Sequence, residues 1–538
     1  LTVLRDTFGL AIGIAFPAFL ILLVARELGV LPGLGFLPYL PPVLAVLAIP
    51  AIRRTGLPQV SRLPKPALLV GAAFVVAVSV RLGLSLAYET PLGYDAGLYR
   101  YVFNAYSFGL PDIPESSLAE WVRTVYPQGL PTFVTALAVF TGLSADALVR
   151  YGLPLLSAAL VVPIYWIGRE AFSQRAGVTA AVLYAISYTH LFTFGLLYLK
   201  NAVGLLLLLL ALHALQKRQH ALFGVFVGGI GIYHRPTLLI VVAVALVFAL
   251  ATRQPRVLSS LALGAIIAAP MLILRWDANW GLLADALGGN AGAATAANDG
   301  GGTFFDLGTY RWASLAYQPF ALIAVVWCLV RRDWNLPLLL MAVAGGIVAL
   351  QLFFFRRQII PLDLAMLLKA GKGIDLAIAW LPEGRRMAMV GALGALLVVG
   401  TGAASVRYLD EASPLMDRDQ LAVVEWISDG VPADAIIVAS AYDAPWVAGW
   451  SGREVIAPGQ FDIVIHDREE WLDFLESDSA DAASEFLSQY PAPLYIYYSG
   501  RTASYLDVSK FTGPKFSLVH EEAGARVYAF ASSSDLRD

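Results

Sequence analysis

Apolar runs long enough to cross a bilayer recur along the first 405 residues, and no other feature limits this chain's fold so strongly. A hydrocarbon core about 30 Å thick takes about 20 helical residues. A helix satisfies its own backbone hydrogen bonds there, which an open strand cannot do. The residues are 58% hydrophobic and 14% charged, against about 25% charged in soluble proteins. Thirteen segments qualify as spans: 8–25, 35–52, 67–87, 149–168, 176–194, 199–215, 220–233, 236–251, 257–275, 313–330, 335–354, 359–381 and 387–405. The chain is therefore expected to be an α-helical polytopic membrane protein.

The charges divide the chain. Of 37 basic and 40 acidic residues, 9 and 23 lie in 407–538, which leaves 28 and 17 in 1–406. The expected organisation is a transmembrane domain over 1–406 and a soluble, acidic domain over 407–538. Solubility accounts for that acidity, and nucleic acid is not an expected partner. Helical patterns near 417–429, 468–475 and 480–489 alternate with the runs Ala435–Ala439 and Leu494–Tyr498, and a hairpin spans 516–530. That alternation predicts a small α/β domain with a partly parallel sheet.

Short basic loops fix an orientation. Arg53, Arg54, Arg62 and Lys65, then Arg169 and Arg175, Lys217 and Arg218, Arg253 and Arg256, Arg331 and Arg332, and Arg385 and Arg386 alternate with the spans. The positive-inside rule makes these loops cytoplasmic. The N-terminus is then cytoplasmic, and the loops 88–148 and 276–312 and the 407–538 domain are extracytoplasmic, in a multi-pass plasma-membrane protein. Residues 129–143 fit this parity as an external helix on the membrane surface. The span 220–233 is short and Gly-rich. The span 359–381 carries Asp363, Lys369, Lys372 and Asp375, which should face protein or water rather than lipid. The Gly-rich stretch 285–303 reads as an external loop. The single cysteine, Cys328, excludes an intrachain disulfide.

Three groups of residues could carry chemistry. Asp95 follows the third span within Gly93-Tyr94-Asp95-Ala96-Gly97-Leu98-Tyr99-Arg100. A carboxylate beside a bilayer can be a general base for a hydroxyl or a ligand for a divalent cation such as Mg or Mn. A helix cap or an ion pair with Arg100 is the plain structural alternative. Asp112, Glu115 and Glu120, followed by Tyr126-Pro127-Gln128-Gly129, lie in the same loop and could join Asp95 around a metal or simply be solvated. The third group is basic and external: Lys200, His234, Arg235, Arg356 and Arg357. External positives run against the orientation bias, and a lipid phosphate or pyrophosphate would explain them. Snorkelling to headgroups is the alternative, strongest for Lys200. Asn201 is an amide in an apolar helix, costly unless bonded. His190 and His234 lack short-spaced ligand partners and read as satisfied helix-end histidines.

The order of these parts resembles the GT-C superfamily of membrane glycosyltransferases. The stretch around Asp95 looks like its first-loop acidic motif, and Val125-Tyr126-Pro127-Gln128-Gly129 looks like the Pro-containing segment after it. Tyr165 to Arg175 is similar to a cytoplasmic helix end, Gly231 to Thr237 to the Arg/Lys-Pro-Thr turn, and Phe355-Arg356-Arg357-Gln358 to the late external arginine segment. The resemblance covers most of 67–405. It implies Asp95 as catalytic base or metal ligand, and a sugar on a polyprenyl phosphate or pyrophosphate as donor. It also implies that Arg235, Arg356 and Arg357 hold the phosphate, with Arg100, Tyr99, Lys200, Asn201 and His234 around the substrate. The acceptor would be a glycan, a lipid or a protein hydroxyl.

Two departures matter. Ser440-Ala441-Tyr442-Asp443-Ala444-Pro445-Trp446 stands where oligosaccharyltransferases carry Trp-Trp-Asp. Tyr198-Leu199-Lys200-Asn201 stands where a second acidic motif is expected, which counts against sequon recognition and a two-motif metal site. The competing expectations are a transporter or flippase of a lipid-linked saccharide, which should show repeat symmetry, and a membrane-anchored binding protein, for which thirteen spans are excessive.

Overall fold

The computed structural model describes residues 65–109, 129–273, 306–352, 355–380, 386–458, 465–466, 468–491, 493–500, 502 and 506–531. The expected spans 8–25 and 35–52, the loop 285–303, and Asp112, Glu115, Glu120 and Tyr126-Pro127-Gln128 lie outside the described residues.

Helix α1 (Lys65–Leu86) is followed by α2 (Ala96–Gly109), α3 (Gly129–Thr141), α4 (Leu148–Ala171), α5 (Gln174–Ala185), α6 (Tyr188–Gly195) and α7 (Leu199–Gln216). Then come α8 (His220–Tyr233), α9 (Arg235–Thr252), α10 (Arg256–Ile273), α11 (Leu307–Ser314), α12 (Gln318–Arg331) and α13 (Leu336–Ala349). A 3-10 turn (Phe355–Gln358) leads into α14 (Ile359–Trp380) and α15 (Arg386–Glu411). Helices α1, α4, α7, α9 and α10 are each long and apolar enough to cross a membrane. Counting α5–α6, bent by 43°, and α11–α12, bent by 85°, as single broken spans brings the number to seven. The expected thirteen are not reached among the described residues. Helices α8, α12 and α13 have only 14 residues each, and the polar residues of α14 interrupt its apolar run.

The two weak spans have clear packing roles. Helix α8 lays its glycines against α10, where Ser260 and Ile267 approach closely, the small-residue packing common between membrane helices. Helix α14 is continuous and packs on α5, α12 and α13. Its polar residues face protein, as expected. Asp363 and Lys369 are fully buried, Lys369 Nζ lies 2.9 Å from Asn335 Oδ1, and Asp375 accepts from Ser173 at 2.8 Å.

The ends of the bundle differ. Helix α7 runs about 27 Å from Lys200 to the neighbourhood of Lys217, whose ammonium pairs with Glu170 at 2.7 Å. The turns at 172–175, 217–219 and 331–335 gather at that end. The turns at 87–95, 195–199 and 232–235, and the 355–358 turn, gather at the other.

Helix α16 (Arg418–Gly430) precedes β1 (Ile436–Val438), α17 (Ala444–Ser451), β2 (Glu454–Ile456), α18 (Arg468–Glu476), α19 (Ala480–Leu487), β3 (Leu494–Tyr498), β4 (Phe516–Glu522) and β5 (Ala525–Phe530). The strands form one sheet in the order β2-β1-β3-β5-β4. Strand β1 runs parallel to β2 and β3, and β5 is antiparallel to β3 and β4. The period of two places Ile436, Val438, Ile496 and Phe530 in a core with Trp471, Phe474 and Phe486. Ile437, Tyr497 and Val527 point the other way, into a core with Val424, Trp446 and Val447. That second core also contains Leu98, Tyr99, Val102 and Phe103 of α2. The sheet is thus packed onto the segment that carries Asp95, while a larger core fills the helical bundle around Ile164, Leu208, Val241 and Leu364.

Candidate active site

The site is built from four chain segments at one end of the bundle. The first is the turn into α2. Gly93 has φ +88°, and a methyl group there would lie 2.6 Å from the carbonyl carbon of Leu196. Only glycine suits both the left-handed backbone and this approach, and it seats the Asp95 turn on the 195–198 turn. Tyr99 lies one helical turn beyond Asp95, its amide bonded to the Asp95 carbonyl at 2.9 Å. That spacing brings the Tyr99 hydroxyl to the Asp95 carboxylate. The backbone N–H of Lys200 reaches the same hydroxyl at 3.4 Å.

The second segment is the turn between α6 and α7. Leu197 is left-handed, with φ 55°, which turns the chain sharply enough to begin α7 at Leu199 with Lys200 beside Asp95. The third is the 355–358 turn, which sets the Arg357 guanidinium 5.6 Å from the Tyr198 ring centre. The fourth is the α8–α9 turn. His234 is buried there, with Nδ1 2.7 Å from Thr237 Oγ1. Arg235 follows it and adds its charge around Lys200.

The electrostatics are those of one half-buried carboxylate among cations. Burial pushes the Asp95 carboxyl above the ordinary aspartate range, while Lys200, then Arg357, then the Tyr99 hydroxyl draw it back down. Burial first, and the Asp95 charge second, hold the Tyr99 phenol well above its usual value, so it remains a donor to Asp95. Burial, Arg357 and Lys200 hold His234 well below its usual value, so it is a neutral imidazole at pH 7. A carboxylate poised above its normal range beside fixed cations can accept a proton from a hydroxyl while an anionic group rests on the cations.

The remaining expected site residues are placed differently. Arg100 turns away from Asp95. Its Nε donates to the Gly449 carbonyl at 3.1 Å, its Nη1 pairs with Asp146, and its guanidinium lies 5.0 Å from the Trp450 ring centre. It ties α2 to α17 and to the Ala145–Ala147 turn that precedes α4. Arg356 covers the Phe355 ring at 5.7 Å. Asn201 is buried one residue beyond Lys200. Gly129 abuts Ile232, so α3 flanks the His234 turn, with Phe133 edge-on to Tyr233 at 6.4 Å.

A roof over the loop was not legible in the sequence. The Tyr94 hydroxyl donates to the Ala441 carbonyl at 2.7 Å, and the Tyr88 hydroxyl to the Ala412 carbonyl. A methyl group at Gly97 would lie 2.1 Å from the Pro445 carbonyl oxygen. The 440–446 segment therefore sits on the Asp95 loop. Asp443 within it is buried and accepts from Ser440 at 3.0 Å and Ser499 at 2.9 Å. Small residues at Gly97, Ala444 and Gly449 were the only signal of this contact, and they resemble ordinary helix composition.

Asp112, Glu115 and Glu120, the acidic residues expected to join Asp95 around a metal, lie outside the described residues. The described residues contain no group of three His, Cys, Asp or Glu side chains able to hold one. Lys200 and Arg357 bring positive charge to the place a cation would take beside Asp95.

No protein-family model and no curated protein matches the sequence. Solved structures do. An Archaeoglobus fulgidus oligosaccharyltransferase, AglB, in complex with an inhibitory peptide and a dolichol-phosphate, aligns with TM-score 0.58 and 14% identity over 86% of this chain and 74% of that one. ArnT from Cupriavidus metallidurans bound to undecaprenyl phosphate aligns with TM-score 0.52 and 13% identity over 87% of this chain and 98% of that one. The mycobacterial arabinofuranosyltransferase AftD gives TM-score 0.50 and 17% identity over 86% of this chain and 40% of that one. The chain shares the fold of these GT-C membrane glycosyltransferases, the superfamily its motif order resembles.

Proposed function

We propose that this protein is a glycosyltransferase that moves a sugar from a polyprenyl-phosphate-linked donor to an acceptor on the extracytoplasmic face of the membrane. The observation that carries the reading is the convergence of Asp95, Tyr99, Lys200, Arg235 and Arg357 from four chain segments. The fold likeness supports it, as do the lipid phosphates named with AglB and ArnT. The donor is a hexosyl or pentosyl lipid. The thirteen-span, cytoplasmic-N-terminus topology, with an extracytoplasmic α/β domain over 407–538, belongs to the same proposal. It puts the site where nucleotide sugars are absent and lipid-borne sugars are available.

In this reading the acceptor hydroxyl attacks the anomeric carbon and gives its proton to the Asp95 carboxylate. The bond from that carbon to the donor phosphate oxygen breaks, and the bonding pair leaves with the polyprenyl phosphate. Arg357, Lys200 and Arg235 stabilise the charge that gathers on the phosphate. Tyr99 orients Asp95, and the neutral His234 packs beneath the cations. Attack opposite the leaving group inverts the anomeric centre. Arg356 stands at the rim, and Arg100 holds the roof. A divalent cation such as Mg or Mn, if bound, would be held by Asp95 and would supply further positive charge beside the phosphate.

The test is transfer from radiolabelled polyprenyl-phosphate sugars to a membrane-extract acceptor, wild type beside Asp95→Asn. Transfer by the wild type and loss in a folded Asp95→Asn protein support the assignment. Equal transfer by both removes Asp95 as the base. Absence of transfer across a full donor panel would favour a lipid-saccharide transporter.

A further inference from the structure

The bundle contains a second polar cluster, directly beneath the site, that the proposed chemistry does not use. Its centre is Asp363 on α14, fully buried. The Tyr317 hydroxyl donates to Asp363 Oδ1 at 2.5 Å and Ser187 Oγ to Oδ2 at 3.2 Å. His190 Nε2 lies 3.3 Å from Oδ2. The His190 ring packs on Tyr184 at 4.7 Å, tilted by 44°, and the guanidinium of Arg81 lies 5.1 Å from the Tyr184 ring centre. Arg81 is itself fully buried and donates to Ser157 Oγ at 2.9 Å and to the Ala77 carbonyl at 3.2 Å. A carboxyl group and a guanidinium, linked through His190 and Tyr184, thus join α1, α4, α5, α6, α14 and the turn before α12.

Such a cluster is not needed to hold helices together. An aliphatic side chain at Asp363 would pack the same space without desolvating a charge, and apolar replacement of buried ionic groups is often neutral or stabilising. What a carboxylate adds is direction, because its two oxygens accept only from donors at set angles. Asp363 gives Oδ1 to Tyr317, which precedes α12, and Oδ2 to the start of α6, an element that leads into the site. Ser187 is the N-cap of α6 and His190 lies in its first turn, and the C-terminal end of α6 passes through the left-handed Leu197 to Lys200. Asp363 is six residues beyond Arg357 on the helix that the 355–358 turn opens, roughly 9 Å away. The two cations that bear on Asp95 therefore sit just past the ends of two helices pinned together at a single carboxylate: Lys200 opens α7 beyond the Leu197 turn, and Arg357 lies in the turn that opens α14.

We propose that Asp363 is a positioning residue, with Tyr317, Ser187 and His190 as its partners, that fixes the α6 and α14 helices in register so that Lys200 and Arg357 converge on one anionic group. The proposal rests on the glycosyltransferase reading for its kinetic consequence, and its structural consequence stands apart from that reading. The side chain does not touch the donor. It sets how far apart the donor's two anchors lie.

The test uses the full chain in lipid nanodiscs, as wild type, Asp363→Leu, Asp363→Asn and the milder Tyr317→Phe. Amide hydrogen exchange is read at 195–200 and 355–360, against the rest of the bundle. The KM for the polyprenyl-phosphate sugar is read beside kcat. The expected result is faster exchange confined to those two segments in Asp363→Leu and Tyr317→Phe. Donor KM rises about tenfold for Asp363→Leu and less for Tyr317→Phe, and Asp363→Asn recovers most of both effects. Unchanged exchange in both segments overturns the proposal, as does a loss of protection spread evenly through the bundle in Tyr317→Phe, which would mark a plain packing residue. A wild type that transfers no sugar defeats the functional reading alone, and the exchange pattern still decides the role of Asp363.

Discussion

Gly97 and Gly449 meet backbone to backbone: a methyl group at Gly449 would lie 2.2 Å from the Gly97 carbonyl oxygen. The helix that opens with the Asp95 motif and a helix more than 300 residues later approach as closely as two chains can. Gly97→Ala or Gly449→Ala must push them apart. Overpacking of this kind costs about 1–3 kcal/mol. The expected outcome is a lower unfolding temperature together with reduced sugar transfer, measured on the same purified protein. A Gly449→Ala protein with full stability and full activity would show that the contact is dispensable.

Removal of the Asp95 base should act on the chemical step. Asp95→Asn keeps the side-chain shape and its hydrogen bond to Tyr99 while abolishing proton acceptance. Transfer should fall by at least about a hundredfold, with the elution volume and unfolding temperature of the protein unchanged. Single-turnover assays with preloaded donor would locate the loss after binding.

The pH profile should show the charge environment of Asp95. Burial raises its pKa, so the ionised, proton-accepting form is lost as pH falls through a value above the ordinary aspartate range. The acid limb of kcat/KM should therefore lie above that range. Arg357 lowers the Asp95 pKa, so Arg357→Gln should move the limb to higher pH. A limb that stays fixed or moves down would separate Arg357 from Asp95.

Arg357 and Arg100 carry the same charge and should behave differently. Arg357→Gln removes a charge-assisted phosphate contact worth about 1.5–3 kcal/mol, so the donor KM should rise roughly ten- to a hundredfold. Arg100→Gln loses its contacts with Gly449, Asp146 and Trp450, so thermal stability should fall while donor KM stays near the wild-type value. Equal effects of the two substitutions on donor KM would contradict the placement of Arg100.

Divalent-metal dependence is also open to measurement. If Lys200, Arg235 and Arg357 neutralise the leaving phosphate without a metal, transfer persists after exhaustive chelation. Complete loss with EDTA, restored by Mg or Mn, would point to the acidic residues of the 110–128 stretch.

Much of the architecture was legible in the sequence because its causes are local. Hydropathy marked the helical segments, the four polar residues of α14 announced that it must face protein, and the pattern of 435–439 and 494–498 anticipated parallel strands. The external basic residues were visible as exceptions to a charge bias. Their grouping was not. Nothing local distinguishes Arg357, whose charge bears on Asp95, from Arg356, which lies over the Phe355 ring, because one residue of rotation in a 3-10 turn decides it. Arg100 looked like a site residue because it follows Tyr99 directly, but neighbours in sequence point about 100° apart on a helix. The pairing of His190 with Asp363, 173 positions apart in sequence, and the seating of 440–446 on the Asp95 turn depend on how the chain returns to itself.

The core shared by Tyr99, Val102 and Phe103 with Trp446, Val447 and Tyr497 sets a rule for building chimeras. A graft that exchanged residues beyond 411 with those of a relative would leave Ala96–Gly109 facing a foreign surface, and the carboxylate at its start would shift with it. The Asp95 turn and the C-terminal sheet behave as one exchangeable part, so a working hybrid must carry both from the same parent.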